Sequence, residues 1–292
     1  MHFTKMEGIG NDYLYINGFK EQVEDPAALS IVMSKPHFGC GADGLIMILP
    51  SQIADFRMRM FNNDGSESEM CGNGIRCVAK YCYERGLTRQ ADFTVETGGG
   101  IKQMHCCVEQ GRVTSVCVDM GAPELDGARI PSRAAGNPVL GHNLCVQGRS
   151  YAATLVNMGN PHAVIVTDNP QTAPVTTDGP LIETHEDFPQ KTNVEFVHVL
   201  DRTHLCMRVW ERGTGETLAC GTGACAALVA CVLNGLCERR AEISLLGGKL
   251  LVQWDESDNH VYLTGPATFV YEGEWLGQMK EDGCCAEGES VL

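Results

Sequence analysis

The chain has 292 residues, 20% of them charged and 43% hydrophobic, with a formal net charge of −15. That is enough for one large or two ordinary globular domains. The acidic balance leaves no basic stripe for nucleic acid, and the most apolar windows, 44–49 and 224–233, are too short to cross a bilayer.

In chain order, residues 3–15 mix apolar side chains with Gly8-Ile9-Gly10-Asn11 and read as a strand interrupted by a functional loop. Asp25-Pro26 opens a short helix over 25–33. Phe38-Gly39-Cys40-Gly41-Ala42-Asp43-Gly44 is a glycine-rich loop before a strand over 45–49, and 55–61 alternates as a strand does. Asn62-Asn63-Asp64-Gly65-Ser66 is dense in turn residues and leads to Cys71-Gly72-Asn73-Gly74. A helix over 75–85 follows and stops at Gly86, a residue suited to the position just past a helix. Strands follow over 91–97, 104–108 and 112–118, the last two a hairpin about Gln110-Gly111. Residues 121–137, rich in Gly, Pro and Ala, cross into a second half. There, strands over 151–156 and 163–166 flank the loop Asn157-Met158-Gly159-Asn160-Pro161-His162. Strands over 192–200 and 204–210 lead to Glu211-Arg212-Gly213, and Cys220-Gly221-Thr222-Gly223 opens a helix over 224–233 that stops at Gly235. Strands over 242–253 and 260–264 complete the set. From Glu281 the chain is polar and acidic and is expected to carry little order.

The second half echoes the first. Cys71 and Cys220 are 149 residues apart. At that offset, without a gap, Gly10-Asn11 falls on Gly159-Asn160, Met58-Arg59 on Met207-Arg208, Glu67 on Glu216, Cys82 on Cys231, Gly86 on Gly235 and Gly98-Gly99 on Gly247-Gly248. These matches fall at turns and helix ends, which argues for tandem duplication. The expected fold is α+β: two pseudo-symmetric domains, each a curved, mostly antiparallel sheet around one central helix. The expected division is residues 1–120 with 266–292, and residues 121–265.

The chain has 15 cysteines, an odd number, and no C-x-x-C pair. With no apolar run behind a charged N-terminal segment, it is expected to be cytoplasmic, its thiols reduced and no metal bound. Most, such as Cys82, Cys225 and Cys231, sit among apolar residues as small core side chains. Cys71 and Cys220 differ because each stands at the mouth of a helix. The partial positive charge there favours a thiolate, and the free N–H groups of the first turn hold an anion. A pair of thiols on opposite faces of one carbon is what racemisation requires: one removes a proton, the other delivers one. A single Cys-Gly-x-Gly is usually a buried cysteine near a turn; two in repeat register are not. Asn11, Asn62, Asn160 and Asn193 also read as ordinary turn asparagines, Asn62 most readily, and His162 equally as a satisfied loop histidine or a group behind the site. Glu211-Arg212 reads as a solvated pair or as the contact for a polar ligand.

Together these runs resemble the diaminopimelate epimerases. The resemblance rests on Gly8-Ile9-Gly10-Asn11-Asp12, Gly41-Ala42-Asp43-Gly44, Asn62-Asn63-Asp64-Gly65-Ser66, Met70-Cys71-Gly72-Asn73-Gly74-Ile75-Arg76-Cys77, Met158-Gly159-Asn160-Pro161-His162, Asn193-Val194-Glu195-Phe196, and Glu211-Arg212-Gly213 with Leu218-Ala219-Cys220-Gly221-Thr222-Gly223. It implies a cofactor-independent, dimeric epimerase that converts L,L-2,6-diaminopimelate to the meso form for lysine and cell-wall synthesis. It further implies Cys71 and Cys220 as the acid/base pair, and the N–H groups of Gly72-Asn73 and Gly221-Thr222 as a cradle for the reacting carboxylate. Asn11, Asn62, Asn160, Asn193, Glu211 and Arg212 would be substrate contacts, mostly clamping its distal amino acid end. Gly44 stands where some members carry Gln, so no side-chain contact is expected there. The competing readings are a two-thiol racemase of the proline or hydroxyproline kind, which has no use for a distal clamp, and a thiol redox protein.

Overall fold

The computed structural model describes residues 1–277; the acidic stretch from Glu281, with Cys284 and Cys285, lies outside the described residues. The first half runs β1 (His2–Gly8), β2 (Asn11–Asn17), α1 (Pro26–Ser34), β3 (Gly44–Leu49), β4 (Phe56–Asn62), β5 (Glu67–Ser68), α2 (Gly72–Glu84), β6 (Asp92–Thr97), β7 (Gly100–Glu109) and β8 (Arg112–Asp119). The second runs β9 (Val139–Val146), β10 (Arg149–Asn157), β11 (Pro161–Val166), α3 (Val175–Glu183), β12 (Asn193–Asp201), β13 (His204–Glu211), β14 (Gly215–Glu216), α4 (Gly221–Leu233), β15 (Arg240–Ser244), β16 (Lys249–Trp254), β17 (Val261–Gly265) and β18 (Thr268–Glu274).

Strand pairing repeats between the halves. β1-β2-β3-β4-β6-β7-β8 pair in that order, antiparallel except at β2–β3 and β4–β6. β10-β11-β12-β13-β15-β16-β17 do the same, with β11–β12 and β13–β15 parallel. β8 and β17 pair antiparallel and join the two sets, while β9 lies on β10 and β18 lies on β1. The architecture is the expected α+β one, mostly antiparallel. The largest core cluster holds the inner residues of both α2 and α4; α1 and α3 pack outside it on two smaller clusters. α4 is apolar nearly all round, from Ala224 to Cys231, and is buried accordingly. Among the described residues no helix is long and apolar enough to cross a membrane.

Besides the strands β5, β9, β14 and β18, which the reading of the sequence did not contain, three elements depart from it. Residues 3–15 are a tight β1–β2 hairpin rather than one interrupted strand. Its two-residue turn, Ile9-Gly10, has both φ angles positive, 48° and 87°, as a type I′ hairpin turn requires. Residues 242–253 split into β15 and β16 at Leu245–Gly248. α3 was not legible at all: it starts after Pro174 and holds Gly179 and Pro180, weak formers of helix. Packing overrides propensity there, because a Cβ on Gly179 would lie 2.8 Å from the Trp210 Cβ.

Candidate active site

The two Cys-Gly-x-Gly runs fold alike. Cys71 is the N-cap of α2 and Cys220 the N-cap of α4, both in extended backbone. Each sulfur accepts from the N–H three residues on, Gly74 and Gly223, at 3.4 Å in both cases. A sulfur here takes the place usually held by a Ser or Asp oxygen. Both helices end in the same way: Gly86 and Gly235 have φ of 72° and 70°. Leu87 N–H then reaches back to Cys82 O, and Leu236 N–H to Cys231 O, at 2.9 Å each, the Schellman arrangement.

The two helix mouths meet. A Cβ on Gly72 would lie 3.6 Å from the Gly221 Cα, and one on Gly221 3.4 Å from the Gly72 Cα, so the two first turns lie close against each other. Both thiols line one cavity of about 1090 Å³, together with Gly72, Asn73, Gly221 and Thr222. First-turn N–H groups have no carbonyl four residues back within the helix, so this floor is rich in donors and positive in potential.

Burial pushes the Cys71 thiol above its ordinary value, opposed by the N–H groups of Gly74 and Asn73. Burial pushes Cys220 up much further, reinforced by the carboxylates of Glu211 and Glu195. The helix mouths pull toward thiolate as expected, but desolvation is the larger effect at both sulfurs. The two are also unequal: Cys71 is half-buried and Cys220 buried.

All the polar residues singled out from the sequence sit on or just behind the cavity wall. The Asn11 amide donates to Asp43 at 2.7 Å, and its carbonyl accepts from the Cys71 thiol at 3.3 Å. Asn62 spends its amide on Ser66 and Ser68 at 2.9 and 3.1 Å, which leaves its carbonyl for a donor. Asn193 is committed to the frame: it donates to Pro161 O at 2.8 Å and accepts from the Arg212 N–H at 2.9 Å. Asn73 likewise ties the halves together by donating to Ala219 O at 3.1 Å. Glu211 accepts from the Thr217 hydroxyl, and burial raises its pKa above the ordinary carboxylate range. Arg212 is exposed at the rim, where its guanidinium donates to Gln190 O at 3.2 Å. His162 is buried, between Glu195 at 2.7 Å and Asn160 at 3.0 Å.

Glu195 and Asp43 belong to the motifs, but sequence reasoning finds no role for either. Glu195 is fully buried, its Oε2 has no hydrogen-bond partner among the described residues, and its Oε1 would lie 2.8 Å from a Cβ on Gly223. A carboxylate inside the apolar strand Val194-Glu195-Phe196-Val197 is the signal that would have found it.

The fold is shared with racemases and related proteins. A probable proline racemase from Agrobacterium radiobacter superposes with a TM-score of 0.70 at 15% identity, covering 96% of this chain and 94% of the other. A phenazine biosynthesis protein from Bacillus anthracis superposes at 0.67 with 18% identity, covering 94% and 99%. These define a class of two-halved folds. Within it, the family model described as diaminopimelate epimerase matches residues 3–125 and 154–270. Diaminopimelate epimerases of Methanococcus maripaludis (strain C5) and Acetivibrio thermocellus are 52% and 53% identical over 274 residues, covering 94% of this chain and 99% and 98% of theirs. The chain belongs to the diaminopimelate epimerase family. It is an isomerase that epimerises diaminopimelate, a step in lysine biosynthesis.

Proposed function

We propose that the reaction is a cofactor-independent, two-base epimerisation of L,L-2,6-diaminopimelate to the meso form, with Cys71 and Cys220 as the acid/base pair. The observation that carries this reading is the meeting of two sulfur-capped helix mouths in one cavity. One sulfur, as thiolate, takes the Cα proton; the other, as thiol, gives its proton to the opposite face, so the carbon inverts and the two sulfurs exchange roles. The carboxylate on that carbon takes up the developing negative charge, and the first-turn N–H groups of Gly72, Asn73, Gly221 and Thr222 are set to hold it. Desolvation makes a thiolate in this cavity a stronger base than in water.

Asn11, Asn62, Asn160, Asn193, Glu211 and Arg212 bind the substrate, mostly at its other end, with His162 behind them. Arg212 suits a carboxylate, with its planar fork. Glu211 and the Asn62 carbonyl suit an ammonium. A simple amino acid lacking that end leaves these groups unmatched, which disfavours the proline-racemase alternative.

Pseudo-symmetric division at residues 120 and 265, a cytoplasmic homodimer, no metal and a place in peptidoglycan precursor synthesis complete the proposal; the return of β18 to β1 supports the first. Single-turnover reaction in deuterated water tests the mechanism. New-configuration product should carry solvent deuterium while remaining substrate keeps its proton. Equal early labelling of both would defeat two-base catalysis.

A further inference from the structure

Arg76 is the largest fully buried side chain among the described residues. Its bonds go to oxygens that carry no formal charge: Nη1 to Gly72 O at 2.8 Å, Nη2 to Asn73 Oδ1 at 2.9 Å and Nε to Pro266 O at 3.2 Å. A guanidinium stays protonated inside proteins, and a buried charge is costly without a countercharge. Helix geometry aims the side chain back toward the N-terminus of α2, over the first turn and beside the junction with α4. Room is left for it by two residues without side chains. A Cβ on Gly8 would lie 3.1 Å from Nη2, and one on Gly265 3.0 Å from Nε. The residue at the same place in α4 is Cys225, so only one of the two helix mouths carries this cation.

We propose that Arg76 is a positioning residue for the reaction: it locks the first turn of α2 and is the fixed countercharge for the Cys71 thiolate and for the carboxylate bound beside it. This rests on the two-thiol reading above. The two groups it grips, Gly72 O and the Asn73 side chain, belong to the residues directly after Cys71. The other ionisable groups facing that sulfur are Tyr13 and Tyr15 on β2, Cys77 on α2 and Glu211 at the end of β13. None of these is a cation. Lys102 on β7 also lines the cavity, with its Nζ on Met120 O at 3.3 Å. Arg76 pulls the Cys71 thiol down against burial and Glu211.

The test reads the thiols without substrate. Full-length wild type, Arg76→Lys and Arg76→Met are alkylated with iodoacetamide across pH, and peptide mass spectrometry follows Cys71 and Cys220 separately. Arg76→Met should raise the pH midpoint of Cys71 alkylation about tenfold in proton concentration or more, so that Cys71 reacts about tenfold more slowly near neutrality, while Cys220 moves less. Arg76→Lys keeps the charge and should stay within about threefold of wild type. Epimerisation by Arg76→Met should recover toward the wild-type rate as pH rises, which simple disordering of the turn would not allow. An unmoved Cys71 midpoint in folded Arg76→Met overturns the proposal, as do equal changes in both variants. Should Arg76→Met not fold, Arg76→Lys decides alone: Cys71 slowed about tenfold near neutrality sinks the charge account, and a near-native midpoint supports it. In wild type the Cys71 midpoint must lie below that of Cys220, and the reverse order also overturns it. Failure of the two-thiol reading looks different, since Cys71→Ala would then still epimerise.

Discussion

At the mouth of α2, Cys71 is surrounded by Asn11, Tyr13, Asn62 and the Arg76 guanidinium. At the mouth of α4 the residues 149 positions on are Asn160, His162, Glu211 and Cys225, and Glu195 stands where the first half has Ile46. The caps, the Schellman ends and the strand order are the same; even the ion pair beside each cap is repeated, Arg59–Glu67 at 2.7 Å and Arg208–Glu216 at 2.6 Å. What is alike in the two halves is the backbone that presents a sulfur and a set of N–H groups to one cavity. What has diverged is the charge around each sulfur and the wall beyond it. A reversible inversion needs equivalent geometry and unequal protonation, and shared backbone with different side chains supplies both.

The largest effect should come from breaking the equivalence outright. Cys71→Ala and Cys220→Ala should each lower epimerisation by about 10³-fold or more, because on the two-thiol proposal each removes one of the two proton-transfer groups. Circular dichroism should show both folds intact. A variant keeping a tenth of wild-type activity would mean that its sulfur is not a proton donor or acceptor.

The divergent wall is tested next. Arg212→Lys keeps a charge at the rim but loses the planar fork, and kcat/KM for diaminopimelate should fall by about 10- to 100-fold, the worth of a charged hydrogen-bonded contact. KM should carry most of the loss, since this end of the substrate does not react. An unchanged KM would place Arg212 outside the substrate's reach. Because burial raises the Glu211 pKa, that carboxylate protonates at a higher pH than an exposed one. Affinity for an ammonium should therefore begin to fall on acidification while exposed carboxylates are still charged.

Much of this was open to a reader of the sequence. Cap, glycine and periodicity signals are local, so both helix mouths, both helix ends and most strands could be found from their own residues. β9 was missed although its partner is the next strand, β10, across the turn Gln147-Gly148. β18 and α3 could not be found so, because their partners lie far along the chain: β18 exists by pairing with β1, and α3 by packing on Trp210. The same limit applied to the site. Spacing singled out Cys71 and Cys220 as two like helix caps, but only packing reveals that Asn73 and Asn193 are used as ties, or that Glu195 and Arg76 are buried charged side chains near the two helix mouths.

A smaller effect should follow from making the two surroundings more alike. Glu195→Gln keeps an oxygen beside His162 Nδ1 but removes a carboxylate that pushes the Cys220 thiol up. Loss of a nearby negative charge favours the thiolate, so the alkylation midpoint of Cys220 should fall while that of Cys71 barely moves. Activity should change only a few-fold. A rise at Cys220, or an equal change at both sulfurs, would show that Glu195 does not act on Cys220 as a charge.

The smallest effect probes what duplication has kept. Gly86 and Gly235 lie in left-handed backbone at φ of 72° and 70°, and a Cβ at either would meet nothing within 4 Å. Alanine is therefore penalised there by backbone conformation alone, by about 1 to 2 kcal/mol for an L-residue held left-handed. Part of that is returned because alanine restricts the unfolded chain more than glycine does. The expected loss is about 1 kcal/mol at each position, measured by urea unfolding, with activity unchanged because both sites lie a full helix away from the cavity. The two losses should agree to within about 0.5 kcal/mol, as for separate sites that share no partners, although α2 is amphipathic and α4 is apolar nearly all round. If Gly235→Ala costs several times more than Gly86→Ala, the helix ends are not equivalent in energy, and the likeness of the halves extends to backbone shape but not to stability.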